Sequence, residues 1–433
     1  HTLLYNKEMA TSARSVLITI VTLCIIFAAA ILIIAYGRGY RFDINKNSLK
    51  STGLIVAQSE PTGAQIMVDG ILKDATQATF TMPPGAYTVS IVKEGFQSWT
   101  KRVIVEGEIV NKLDALLLPT NPSLTALTVN GVINPTLSPD GSKLAYIIPE
   151  NISNASDSAT LSTKPGIWVL DLIDKPLGLN RDARQIAKSN GINLNTAVLS
   201  WSPDNTQILA SLPTAIYYLF KADTLVETPQ RLFTIKTVQS DWQAIKSLRE
   251  KEQFATLPPQ FLSVATTSAN IISFSPDETK ILYEATESAT LLPVLVPALI
   301  GANSTPEVRR LTQGTLYVYD IKEDRNYALA EAAQFKTAPV PTPRIVQKTA
   351  PTQKLIEEPY HIYWLPSSRH VVTVVSNKIE IIDFDGANRR TAYAGPFWDS
   401  FAVPWASGGK LIILTNLNPT ATNINNLYVV NLK

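Results

Sequence analysis

One turn motif constrains this chain more than any other feature. Ser138-Pro139-Asp140-Gly141-Ser142-Lys143-Leu144-Ala145-Tyr146 returns as Ser202-Pro203-Asp204-Asn205-Thr206-Gln207-Ile208-Leu209-Ala210 and as Ser275-Pro276-Asp277-Glu278-Thr279-Lys280-Ile281-Leu282-Tyr283. Two degenerate copies follow, Leu365-Pro366-Ser367-Ser368-Arg369-His370-Val371-Val372 and Trp405-Ala406-Ser407-Gly408-Gly409-Lys410-Leu411-Ile412. The position just ahead of the motif is apolar in Leu137, Trp201, Phe274 and Trp364, and Pro404 breaks that rule. Proline presets φ at the first corner of a tight turn, and Asp followed by Gly or Asn suits the next corners. The run after each turn is apolar and β-prone, which predicts a buried strand. A second strand follows in each unit, as in Ile167-Trp168-Val169-Leu170-Asp171-Leu172 and Leu316-Tyr317-Val318-Tyr319-Asp320-Ile321. Repeated turn–strand–turn–strand units bury their faces against one another, which is the sequence mark of a β-propeller.

The repeat resembles the WD40-like PD40 repeat of TolB-type propellers over roughly residues 120–433. Five units imply five blades, with room for a degenerate sixth in the long gaps between motifs. The last two motifs stand about 40 residues apart, close to one bare blade, so the longer steps contain insertions. These fall at 149–166, 236–262, 286–314 and 332–359. The Ser/Thr/Asn-rich stretch from Asn151 to Lys164 reads as a loop, and 332–359, with its many prolines, as an extended one. Asp241 to Glu252 has helix formers with apolar positions at Trp242, Ile245 and Leu248, predicting a helix laid on one face of the propeller through those residues. Leu124 to Val129 is expected to add an outer strand to the last blade.

Ahead of the propeller, Val16 to Tyr36 carries no charge. As a helix these residues span about 32 Å, the thickness of a bilayer's hydrocarbon core. The apolar run outlasts the core of a signal peptide, so a retained anchor is expected, with the lipid bilayer as partner through residues 16–36. Lys7 and Arg14 precede the helix, and Arg38, Arg41, Lys46 and Lys50 follow it. The excess of positive charge after the helix would place the C-terminal side inside, but that rule loses force when a long domain follows, and the expected orientation is a cytoplasmic stub at 1–15 with an extracytoplasmic body. Residues 37–51 read as a spacer.

Residues 52–118 form a separate β module. Ala64, Ile66 and Val68 alternate on one face, Asp69-Gly70 signals a hairpin, and Tyr87, Val89 and Ile91 share a face after Pro83-Pro84-Gly85. Pro61-Thr62-Gly63-Ala64, Pro84-Gly85-Ala86-Tyr87 and Gly95-Phe96 resemble the PEGA domain, with Thr62 where that family has Glu. The resemblance implies a small β-sandwich-like module of surface and envelope proteins.

Composition narrows the functional classes. Charged residues make up 17% and the formal net charge is +2, so no field is present to hold nucleic acid. Cys24 is the single cysteine, which excludes an intrachain disulfide or a thiolate metal cluster in this sequence. Of the histidines, His361 and His370 occupy strand and turn positions. No nucleophile elbow, phosphate-binding loop or His-Glu-x-x-His helix occurs. Asp140, Asp204 and Asp277 read as turn carboxylates rather than metal ligands, and Asp383-Phe384-Asp385-Gly386 as a hairpin turn. No catalytic, metal or cofactor residue is assigned. Trp398, in Gly395-Pro396-Phe397-Trp398-Asp399, is the candidate exposed aromatic for binding, whereas Trp201 and Trp364 read as core.

The sequence thus points to a mainly β, single-pass membrane protein of a bacterial envelope: helix, PEGA module and propeller, binding a protein or a wall or surface polysaccharide. The alternatives are a propeller enzyme acting on glycans or small esters, and a self-associating surface-coat component.

Overall fold

The computed structural model describes residues 2–37, 40–43, 48–150, 164–174, 182–213, 215–335, 360–375, 378–398, 401–418 and 425–433. The chain divides into two compact units, one holding residues 1–93, 98–116 and 300–304 and the other the remainder.

In the first unit, helix α1 runs Thr2–Gly37, so the stub expected at 1–15 is helical as well from Thr2 onward. Within it, Leu17–Ala35 is long and apolar enough to cross a membrane, and its side chains are unburied. The expected spacer contains a hairpin instead, Tyr40–Asp43 paired with Ser48–Ser51. Two sheets follow. One orders Ala78–Met82, Gly53–Glu60 and Val110–Leu116, the last pair parallel. The other orders Ile71–Ala75, Gln65–Val68, Gly85–Val92 and Trp99–Val105. Alternation along these strands buries Ile55, Ala57, Ile66, Val68, Val89, Ile91, Trp99 and Val103. Asp69 and Gly70 both take positive φ, 49° and 80°, as a two-residue hairpin demands, and Asp69 accepts the Thr88 backbone N–H at 2.8 Å. Thr62 is exposed, so that position tolerates the change from Glu.

In the second unit, the repeat motifs organise five four-stranded antiparallel sheets. Sheet I comprises Ile133–Leu137, Lys143–Ile148, Gly166–Asp171 and Arg184–Lys188, and sheet II comprises Val198–Trp201, Gln207–Leu212, Ile216–Lys221 and Arg231–Leu232. Sheet III takes Ala269–Phe274, Lys280–Ala285, Thr315–Asp320 and Arg325–Glu331; sheet IV takes Ile362–Trp364, His370–Val375, Lys378–Asp383 and Arg390–Ala394. Sheet V is built from Ala402–Pro404, Lys410–Thr415 and Asn426–Asn431, and Leu124–Ala126 joins its outer edge, with Leu124 opposite Val430. The expected edge strand is therefore present.

The motif turns join the first two strands of every sheet. In the first copy the Ser138 N–H donates to Lys143 O and the Gly141 N–H to Ser138 O, both at 2.8 Å. The same two bonds recur in all five copies, including the degenerate ones opened by Leu365 and Trp405. A positive φ recurs too, at Gly141, Asn205, Glu278, Ser368 and Gly408. In the three full copies the Ser hydroxyl donates to the Asp carboxylate and accepts the N–H of the residue five further on. Burial raises Asp277, but bonds from Ser275 and Thr279 and the charge of Lys280 outweigh it and bring its carboxyl down to about 2. Asp140 and Asp204 are lowered against burial in the same manner.

Strands buried on both faces explain the apolar runs at 144–148 and 281–283. Ala145, Ile147 and Val169 of sheet I pack on Leu199, Trp201 and Ile208 of sheet II. The opposite face of sheet I, with Leu144, Tyr146 and Leu170, packs on Val403, Ile412 and Leu414 of sheet V. Leu282, Leu316 and Val318 of sheet III meet Ile362, Trp364 and Val371 of sheet IV.

Between sheets II and III the chain forms α2 (Ile235–Ala255) and α3 (Pro259–Thr267). The helix expected from Asp241 thus starts six residues earlier, and a second helix follows it. Phe261 of α3 is fully buried, stacked on Tyr319 with ring centroids 4.5 Å apart and edge-on to Tyr283 at 5.3 Å. This gap holds helices, and no sixth four-stranded sheet of the repeat occurs among the described residues. The 286–314 insertion includes a short hairpin, Ala289–Thr290 with Arg310–Leu311. The loop expected over 151–164 lies outside the described residues except for Lys164, and so does most of the 332–359 insertion, 336–359.

Candidate functional site

The five residues ahead of the motif meet at one place. Leu137, Trp201, Phe274, Trp364 and Pro404 each end the first strand of their sheet, and all five line a single cavity of about 680 Å³. Trp201 and Trp364 are 8% and 7% exposed, so their core assignment holds, yet this core is also the wall of a cavity. The Trp201 indole N–H donates to Thr136 O at 3.1 Å. The corresponding N–H of Trp364 has no hydrogen-bond partner among the described residues, nor has the hydroxyl of Ser273, which also lines the cavity.

The motif turns lie on the same cavity, through Pro139, Asp140, Pro203, Pro276 and Glu278. Helix α2 lines it as well. Its Trp242 indole N–H donates to Gln207 Oε1 at 3.1 Å, and the Gln253 amide donates to Glu278 Oε1 at 3.0 Å. Lys246, Arg249, Glu250, Gln253 and Phe254 are the α2 residues on the cavity.

That face is not the one the sequence pattern favours. The less exposed residues of α2 are Ile235, Val238, Trp242, Lys246, Glu250, Gln253 and Phe254, which share one helical stripe. Ile245 and Leu248 are instead turned outward, 38% and 61% exposed. Of the apolar positions expected to pack, only Trp242 does so. The correction has a physical cause: the bond of Trp242 to Gln207, the bond of Gln253 to Glu278 and the packing of Phe254 fix the helix's rotation, and the residues between them carry charged groups over the cavity.

Chemically the site is apolar and aromatic on its walls, with charged and amide groups contributed by α2. Among its carboxylates, Asp140 is engaged by Ser138 and Ser142 and Glu278 by Gln253, and Glu250 adds a third from α2. Burial pushes the Tyr363 phenol on the wall up to about 12, so it stays a neutral donor at physiological pH.

The other singled-out residues lie elsewhere. Trp398 is 62% exposed, as expected, but is not part of the cavity. His370 faces Asp383 across the strands at 3.5 Å, the position where Lys280 faces Asp320 at 3.7 Å in sheet III. Asp204 and Asp277 remain in their own turns, hydrogen-bonded to local partners. No group of three His, Cys, Asp or Glu side chains suited to a metal ion occurs among the described residues. The α2 residues were missed by sequence reasoning; the only signal was the polar series Lys246, Glu250, Gln253 at helical spacing.

Comparison with known proteins fixes one module. Residues 52–121 match the PEGA domain. The body resembles solved TolB structures only at low scores: a putative TolB from Agrobacterium tumefaciens is 13% identical, over 69% of this chain and 72% of that one, with TM-score 0.21. TolB from Acinetobacter baumannii is 12% identical, over 88% of this chain and 63% of that one, with TM-score 0.22. Among curated proteins none matches the chain. A PEGA domain together with an apolar N-terminal helix fits an envelope-associated protein.

Proposed function

We propose that this chain is a membrane-tethered binding protein of a bacterial cell envelope. In this reading α1 is a retained anchor, the β modules are extracytoplasmic, and the five sheets close as a β-propeller around the cavity. The observation that carries the reading is the charged stripe of α2. Burial would favour turning Ile245 and Leu248 inward, yet the helix spends that face on Lys246, Arg249, Glu250 and Gln253 beside an aromatic cavity. Charged groups at the rim of an apolar cleft are how a site combines hold with specificity. The walls favour a protein segment over a polysaccharide, whose hydroxyls would face apolar surface unpaired. No catalytic step belongs to the proposal.

The test is photo-crosslinking in native membranes, with a crosslinking residue placed in the full chain at Lys246 or, on the outward face of the same helix, at Leu248. A partner captured from position 246 and not from 248 supports the reading. Capture from 248 alone would move the interaction to the outer apolar face, and capture from neither would overturn it.

A further inference from the structure

We propose that the cavity takes an apolar chain ending in a carboxylate, with the carboxylate at Arg249 and the apolar body against Trp201, Phe274 and Trp364. This rests on the binding role proposed above and specifies its ligand. The Trp364 indole N–H is a donor without a partner on a side chain only 7% exposed, and the Ser273 hydroxyl is likewise unpartnered. Arg249 lines the same cavity and has no ion pair among the described residues. Of the three carboxylates on the cavity, Asp140 is taken up within its turn and Glu278 by Gln253, and Glu250, next to Arg249 on α2, has an interaction of its own. Indole N–H and guanidinium groups only donate, so the missing partner is an acceptor, and Arg249 selects an anionic one. The planar guanidinium fits a carboxylate through two parallel bonds. The aromatic wall demands an apolar body behind that group, which a free inorganic anion lacks.

Two sources share this chemistry, the C-terminus of a polypeptide with apolar last residues and a small aryl or alkyl acid. The experiment uses the full chain in lipid nanodiscs, with calorimetry and tryptophan fluorescence as readouts. The probes are acetyl-Ala-Leu-Phe as free acid and as amide, and 4-phenylbutyrate with its amide. Each acid is expected to bind roughly tenfold or more tightly than its amide, the usual scale of a charge-assisted hydrogen bond. Arg249→Gln, which changes an exposed side chain at the cavity, should remove the preference without altering the melting curve. Trp364→Phe, which keeps an aromatic side chain but deletes the indole donor and part of the apolar wall, should weaken both forms. Tighter binding of the peptide acid identifies a polypeptide terminus, and tighter binding of phenylbutyrate a small acid; either supports the proposal. Equal binding of acid and amide, a preference that survives Arg249→Gln, or no binding of any probe overturns it. If crosslinking from position 246 stands in that case, the binding role survives and only the ligand chemistry falls.

Discussion

Within each full motif a serine, an aspartate and one backbone N–H form a closed hydrogen-bonded set. Ser275 is 1% exposed; its hydroxyl donates to Asp277 at 2.7 Å and accepts the Lys280 N–H at 3.0 Å. Ser275→Ala leaves that N–H buried and unpaired, which costs about 1–3 kcal/mol. Chemical denaturation should show this loss, whereas Ser275→Thr, which keeps the hydroxyl, should recover part of it. The carboxylates set a pH dependence of definite sign. The folded pKa of Asp277 is about 2, below the ordinary carboxylate range, so its contribution is complete above pH 4 and is lost as pH falls toward 2. Asp277→Asn should lower stability near neutrality, where that contribution is complete, and change it little near pH 2, so that the acid limb of the stability profile flattens over that window. Because Asp277 is exposed, the flattening is modest. These residues were the most legible part of the sequence, since Pro, Asp and Gly or Asn state the turn's geometry directly. Glu278 and Ser368 were not legible as left-handed positions, having φ of 54° and 57°. There the repeat's two backbone hydrogen bonds, not residue preference, impose the conformation.

Helices α2 and α3 show what periodicity can and cannot reveal. Helix formers from Asp241 onward indicated an element, but its start at Ile235 has no side-chain cap to announce it. Its rotation was illegible because the tertiary bonds of Trp242 and Gln253, not the apolar periodicity, choose which face packs. Leu248→Glu tests this rotation. The side chain is 61% exposed, so the change should lie within about 0.5 kcal/mol, the usual range for surface positions. Phe261→Ala in α3 should instead cost about 3–5 kcal/mol, since it removes a fully buried ring stacked on Tyr319. If Leu248→Glu proved as costly as Phe261→Ala, Leu248 would have to face inward, and the assignment of Lys246 and Arg249 to the cavity would fail with it. The cavity wall was half visible beforehand: Trp201 and Trp364 were read as core, and their position ahead of each motif is what brings them together.

At the scale of the molecule, the repeat predicts sheets, but one short strand decides how the last sheet is completed. Leu124–Ala126 comes from the start of the second unit's chain and pairs with Asn426–Asn431 from its end. The neighbouring backbone bonds, Leu127 N–H to Leu427 O at 2.8 Å and Asn431 N–H to Ser123 O at 3.0 Å, extend the contact beyond the strand itself. Sheet V packs on sheet I through Val403, Ile412 and Leu414, so this pairing ties both ends of the five-sheet body into one core. Thr125, opposite Val429, is the central residue of the short strand. Thr125→Pro withdraws a donor and constrains the backbone there, which a three-residue edge strand has little else to offset. Hydrogen exchange should then accelerate first in Asn426–Asn431 and spread to Lys410–Thr415. The strand Gly53–Glu60, in the other compact unit, should keep its protection. Unchanged exchange in Asn426–Asn431 would mean that sheet V is held by packing on sheet I alone. Equal loss in Gly53–Glu60 would mean that the two units unfold as one.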